Sequence, residues 1–116
     1  KAANVLISKA SGGDAVVGDL GMAGIRGPQG GGSLPWMAPE RLDLDPATPE
    51  SDVYAFGVMM WECLTRRTPW EHTSEEELRR RVCDGDGLQV PEGVPVGEQY
   101  LQLMQSAMRF VPAMRP

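Results

Sequence analysis

Nine consecutive apolar residues, Val53-Tyr54-Ala55-Phe56-Gly57-Val58-Met59-Met60-Trp61, constrain this chain more than any other feature. Ser51 or Asp52 can cap a helix at their start. Arg66 and Arg67 suit its negative dipole end, and Pro69 bars continuation beyond about Thr65. A helix apolar on every face belongs at the centre of a protein. Nine residues are also too few to cross a bilayer. The rest of the chain must therefore supply elements that surround this one.

Two helices follow it. Ser74-Glu75-Glu76-Glu77 reads as a capping box opening a mostly solvated helix that runs to about Cys83. Asp84-Gly85-Asp86-Gly87 breaks it, and residues 88–97, with Pro91 and Pro95, predict an irregular connection. The last helix spans about 98–111, with apolar residues at 100, 103, 104, 107, 108 and 111 forming one amphipathic stripe. Upstream, Asn4-Val5-Leu6-Ile7-Ser8 and Ala15-Val16-Val17-Gly18 flank the turn cluster Ser11-Gly12-Gly13-Asp14, which predicts a small β-hairpin. Residues 21–35 hold six glycines and two prolines and predict a long loop. The expected class is α+β, mainly helical, in one domain, which suits 116 residues.

Charge removes several function classes. The formal net charge is −5, split as −3 over residues 1–58 and −2 over 59–116. No basic face suited to nucleic acid and no polybasic membrane anchor is evident. Cys63 and Cys83 lack metal-ligand spacing and are expected as reduced, half-buried thiols of an intracellular protein.

The hairpin carries the candidate chemistry. It brings Asn4, at the start of the first strand, near Asp19, just past the second. An amide oxygen and a carboxylate are hard donors suited to Mg²⁺, and Lys1 could face a phosphate. Spacing alone favours the other reading, in which Asp19-Leu20-Gly21 is a simple turn with Asp capping the backbone.

Five motifs weigh in the first reading's favour. Lys1-Ala2-Ala3-Asn4 resembles the end of the catalytic loop of eukaryotic protein kinases, the K-x-x-N of H-R-D-L-K-x-x-N. Asp19-Leu20-Gly21 resembles D-F-G, and Ala38-Pro39-Glu40 matches A-P-E. Asp52-Val53-Tyr54-Ala55-Phe56-Gly57-Val58 is similar to the start of the buried C-lobe helix, and Arg115-Pro116 to the terminal R-P. The motifs stand in family order from one end of the chain to the other. Lys1, Gly32-Ser33-Leu34-Pro35-Trp36-Met37 and Trp61-Glu62 resemble the tyrosine-kinase-like group of Ser/Thr kinases.

The resemblance implies a partial kinase domain over residues 1–116, a C-lobe without its N-lobe. It implies ATP and Mg²⁺ as cofactors and a protein substrate as partner. Asn4 and Asp19 would ligate Mg²⁺, Lys1 would sit by the γ-phosphate, and Leu6 would form part of the apolar floor under adenine. Ser33 would bond the catalytic Asp, and Leu34, Pro35 and Trp36 would shape the substrate pocket. Glu40 would pair with Arg115, and Asp52 would brace the catalytic loop. The catalytic Asp itself is expected two residues ahead of Lys1, so an inactive fragment of an active kinase is the expectation. The domain would be intracellular, in the cytoplasm or on the cytoplasmic side of a membrane if the parent is a receptor.

Some residues depart from the family pattern. Leu20 replaces Phe, and Ala107-Met108 stands where many relatives have Cys-Trp. Ser33 is the one hydroxyl residue of 22–37, so no switching phosphate is expected in that segment. Two other readings stay open: a pseudokinase lobe acting as a scaffold, and a self-contained helical domain. His72 is expected as a solvated loop residue, Arg79-Arg80-Arg81 as a wet helix face, and Trp36, Trp61 and Trp70 as packing residues.

Overall fold

A computed structural model describes residues 1–10, 12–19 and 34–116. A 3-10 turn at Ala2–Asn4 leads into β1 (Val5–Ser8), which pairs antiparallel with β2 (Asp14–Val17). The register sets Val5 opposite Val17 and Ser8 opposite Asp14. Gly12 and Gly13 both take positive φ (76° and 107°) to turn the chain between the strands, a conformation other L-residues rarely adopt. A 3-10 turn at Leu34–Trp36 precedes four helices: α1 (Pro39–Leu42), α2 (Pro49–Thr65), α3 (Glu75–Cys83) and α4 (Glu98–Ala107). A last 3-10 turn spans Pro112–Met114. The described residues are thus mainly helical with one two-stranded sheet, the class expected from the sequence.

Helix α2 is the axis of the helical part. It starts at Pro49, earlier than Ser51 or Asp52 would place it, because Thr48 is the cap. The Thr48 hydroxyl accepts from the Ser51 amide (3.2 Å), and Ser51 Oγ accepts from the Thr48 amide (3.1 Å). Ser51 is therefore the reciprocal partner in a capping box, and Pro49 fills the first helical position, where no N–H is needed. The other end stops at Arg66, which takes a left-handed φ of 55° and whose amide returns to Glu62 O (2.8 Å).

The core forms three apolar clusters. Leu42, Trp70, Leu78 and Val82 join α1 to α3. Ala38, Tyr54 and Val58 pack α2 against the chain ahead of α1, with Trp36 and Met108 alongside. Met60, Trp61 and Met104 join α2 to α4. Leu88, from the irregular connection, packs against all three. Two polar links reinforce the α2 contacts: Tyr100 Oη donates to Met60 O, and Trp61 Nε1 donates to Gln89 O, each at 2.9 Å.

Further local expectations are corrected. Helix α2 is not buried on every face, since Phe56 is 50% exposed among the described residues. Ser74 accepts from the Glu77 amide (3.2 Å), but Glu77 turns to Arg80 instead of closing the box. Helix α4 ends at Ala107 instead of 111, and its buried positions are Met104 and Ala107, with Leu101 and Met108 partly covered. Leu103 lies 47% exposed, so the packed stripe is rotated toward 101, 104 and 108. Cys83 is half-buried as expected, but Cys63 is exposed instead, on the solvent side of α2, and both are free thiols.

Candidate functional site

The hairpin positions the first group of candidate residues. The Asn4 amide donates to Lys1 O (3.0 Å), closing the turn, and the Gly18 amide donates to Asn4 O (2.7 Å). The second bond sets Asp19 one residue from Asn4's partner. Gly18 has little spare room, because a Cβ there would lie 3.2 Å from Leu6 Cδ1. Asp19 adopts a left-handed φ of 59°, which aspartate tolerates better than most residues. Lys1 and Asp19 are exposed, Asn4 is half-buried, and Leu6 is 60% exposed on the strand surface. Lys1, Asn4, Leu6 and Asp19 therefore lie at the end of the hairpin opposite its turn.

The second group sits on the 3-10 turn Leu34–Trp36, closed by the Met37 amide donating to Leu34 O (3.0 Å). Trp36 packs beside Ala38, Tyr54 and Val58. Its Nε1 donates to Glu62 Oε2 at 2.9 Å, and the Ala2 amide donates to the same oxygen at 2.8 Å. Helix α2 thus reaches both groups through Glu62. Its sequence context held one clue to this contact: Glu62 is an acid directly following nine apolar residues.

The third group is the polar base. Arg115 Nη1 donates to Glu40 Oε1 (2.6 Å) and Glu50 O (2.9 Å), and Nη2 donates to Glu40 Oε2 (2.9 Å) and Phe110 O (3.0 Å). Nε donates to Arg109 O (2.8 Å), and the guanidinium lies 5.0 Å from the centre of the Tyr54 ring. Burial pushes the Tyr54 phenol up to about 12, so it stays neutral beside the cation. Burial alone would raise the Glu40 carboxyl, but the hydrogen bonds and charge of Arg115 outweigh it and hold the group below its ordinary value. A carboxyl lowered in the folded state stabilises it fully above the unfolded value of 4.5 and loses that contribution as pH falls through the lowered one. Acid titration of the thermal midpoint should therefore show a loss in the wild type below about pH 4.5 that is smaller in Glu40→Gln.

The remaining candidates are less engaged. Asp52 is exposed on the first turn of α2, where the helix dipole favours an acid, and its carboxylate has no hydrogen-bond partner among the described residues. Ser33 and Leu20, and most of the 22–37 segment, lie outside the described residues. Among the described residues no three His, Cys, Asp or Glu side chains gather to hold a metal ion. His72 is solvated. Arg80 pairs with Glu77 and Asp84, whereas Arg79 Nη1 donates to Leu42 O and Arg81 lies 4.9 Å over the Trp70 ring. None of the described helices is long and apolar enough to cross a membrane.

A sequence profile of the family described as "Protein tyrosine and serine/threonine kinase" matches residues 1–116, the whole chain. The chain belongs to this protein kinase family. Among curated proteins it is similar to the insulin-like peptide receptor of Branchiostoma lanceolatum and the insulin-like growth factor 1 receptor of Xenopus laevis, each 39% identical over 90 residues. It is 40% identical over 90 residues to the human insulin receptor-related protein. Each match covers 75% of this chain and only 6–7% of the relative. Within the kinase domain described here, the Lys1–Asn4 stretch, the Leu34–Trp36 turn and the Glu40–Arg115 base are all fastened to α2 or its cap region.

Proposed function

We propose that these residues form part of an ATP-dependent protein kinase that phosphorylates serine and threonine hydroxyls of protein substrates. The observation that supports the reading is the backbone at the hairpin end, where the Gly18 amide donates to Asn4 O and the Asn4 amide to Lys1 O, so that Asp19 follows a residue bonded to Asn4. Amide and carboxylate oxygens are the donors Mg²⁺ prefers, and this pair leaves most of its shell to water and phosphate. Bound Mg²⁺ would neutralise charge on the ATP phosphates. Lys1 would add a positive charge at the transferred phosphoryl group, and Leu6 would offer its exposed side chain to the adenine ring. Leu34, Pro35 and Trp36 would seat the substrate chain beside them. Glu40, Asp52 and Arg115 act on the architecture and touch no reactant. The work lies inside the cell, where ATP is available.

The serine/threonine assignment rests on Lys1, on the stretch from Gly32 to Glu40 and on Trp61-Glu62, whereas the family as a whole includes tyrosine kinases. Acceptor peptides differing only in Ser, Thr or Tyr should separate the two with the full-length protein. Transfer to Ser or Thr is the expected result. Labelling of Tyr alone would overturn the acceptor assignment and leave the kinase reading intact. Residues 1–116 by themselves should transfer no phosphate, since the family's proton-accepting aspartate precedes the lysine that Lys1 matches. Activity from this piece would contradict that expectation. A full-length protein without transfer would point instead to a scaffold.

A further inference from the structure

We propose that the outer face of α4 is a self-association surface, on which a second copy of this chain pairs antiparallel about a two-fold axis. Glu98, Gln102, Gln105 and Arg109 are all exposed and follow one another at spacings of four, three and four residues. Those spacings match the helical repeat, so the four side chains form one row along the helix. Arg109 stands just past the end of α4, where the bond from its amide to Ser106 O (3.4 Å) carries the turn on. Gln102, Gln105 and Arg109 line one shallow depression together with Gln99, Leu103 and Ser106. Met104 and Ala107, on the opposite side of α4, pack toward α2, so the row points away from the core.

The row reads the same in both directions by spacing, and its chemistry is complementary to itself. Laid antiparallel on a copy of itself, it sets Glu98 opposite Arg109 and Gln102 opposite Gln105. The two-fold operation then supplies the reciprocal pairs, so no like charges meet. Each primary amide both donates and accepts, which lets the two glutamine pairs bond to one another. The end charges are available. Arg109 has no carboxylate partner among the described residues; its Nη1 donates to Met114 O (3.0 Å), which leaves other N–H groups open. Glu98 Oε1 accepts from Gln102 Nε2 (3.0 Å), which leaves Oε2 open and holds both side chains in the row. Leu103, 47% exposed at the flank of the row, would leave water on pairing. A net charge of −5 opposes association through most other surfaces, and α3 opens on three consecutive glutamates. Seven side chains form the face, Glu98 and the six of the depression, against about 20–30 a side in a standard interface, so the pairing is transient. Lys1, Asn4, Asp19 and the Leu34–Trp36 turn all lie outside it.

Charge exchange in the full-length protein, followed by sedimentation velocity across a concentration series, tests the pairing. The wild type should form concentration-dependent dimers. Glu98→Arg and Arg109→Glu each set like charges together at both ends of the row. Each should weaken self-association at least about tenfold. An equimolar mixture of the two single variants should form heterodimers about as tightly as the wild type, because each copy then carries the charge the other lacks. The double variant Glu98→Arg/Arg109→Glu should dimerise likewise. Thermal midpoints of the single variants close to wild type separate lost pairing from lost folding. Should either single variant unfold, Gln102→Glu/Gln105→Glu keeps the end charges, sets acids opposite acids at the centre of the row, and should also abolish pairing. A wild type whose dissociation constant is weaker than about 1 mM overturns the proposal. Self-association that ignores the single substitutions does the same, since other surfaces would then carry it. Single variants that dimerise poorly and fail to pair with each other also overturn it, and point to a partner of another kind on this face.

Discussion

Glu40→Ala is expected to destabilise the folded protein by about 3 kcal/mol. The reason lies in what it leaves behind. The Arg115 side chain is 0% exposed and its Glu40 partner 13% exposed, so the guanidinium cannot turn to water when its carboxylate is removed. Carbonyls of Glu50, Arg109 and Phe110 would still accept from it, but they bring no compensating charge. The estimate stands at the low end for a broken buried pair because those carbonyls and the Tyr54 ring remain. Arg115→Lys should also be costly, since one ammonium cannot reproduce a planar fork bonded in several directions. Replacing both residues by apolar ones of similar volume should recover much of the loss. Urea denaturation of the three variants checks the order: the double replacement should lie closest to wild type. A Glu40→Ala midpoint equal to wild type would show that the pair contributes nothing.

Gly57 carries the second large effect. A Cβ at this position would stand 2.7 Å from Met108 Cγ, 2.9 Å from Ala107 Cβ and 3.2 Å from Met104 O. Two of these atoms cannot swing away, because one is a Cβ fixed to the backbone of α4 and another is backbone itself. Glycine in a helix normally costs about 1 kcal/mol against alanine, so its use here reflects the close approach of α2 and α4. Gly57→Ala should gain that propensity and still lose about 1–3 kcal/mol net through overpacking. Gly57→Leu should prevent α4 from docking at all. Thermal unfolding followed by circular dichroism would register both, and Gly57→Ala/Ala107→Gly should recover part of the first. A stabilised Gly57→Ala would mean that the helices separate at no cost.

The parts legible in the sequence are those whose causes are local. Two β-branched runs around a glycine turn gave the hairpin, and the apolar run gave the body of α2. Helix α2 starts ahead of the Ser51 or Asp52 cap that the sequence predicts, because Thr48, Ser51 and Asp52 are all acceptable caps and only the reciprocal Thr48–Ser51 bonds decide among them. The α4 stripe was rotated because apolar residues at 100, 101, 103, 104, 107 and 108 fit two adjacent faces equally well. What separates them is the close approach at Gly57, which draws in Met104, Ala107 and Met108. For the candidate site, the spacing of Asn4 and Asp19 favours a turn over a cation site, and only the family motifs reverse that preference. In the sequence Glu62 stands out only as part of the Trp61-Glu62 family resemblance. Its partners lie too far along the chain for any local pattern to reveal them.

Leu88 belongs to no helix or strand, yet it packs against each of the three apolar clusters. A side chain shared among clusters makes their stabilities interdependent. If α3 peels away from α1, Leu88 loses part of its burial, and the α2–α4 seam loses a neighbour in the same event. The helices are thereby joined into one cooperative unit by a residue of the connecting loop. Shortening that loop to tighten the protein would be more disruptive than its irregular backbone suggests.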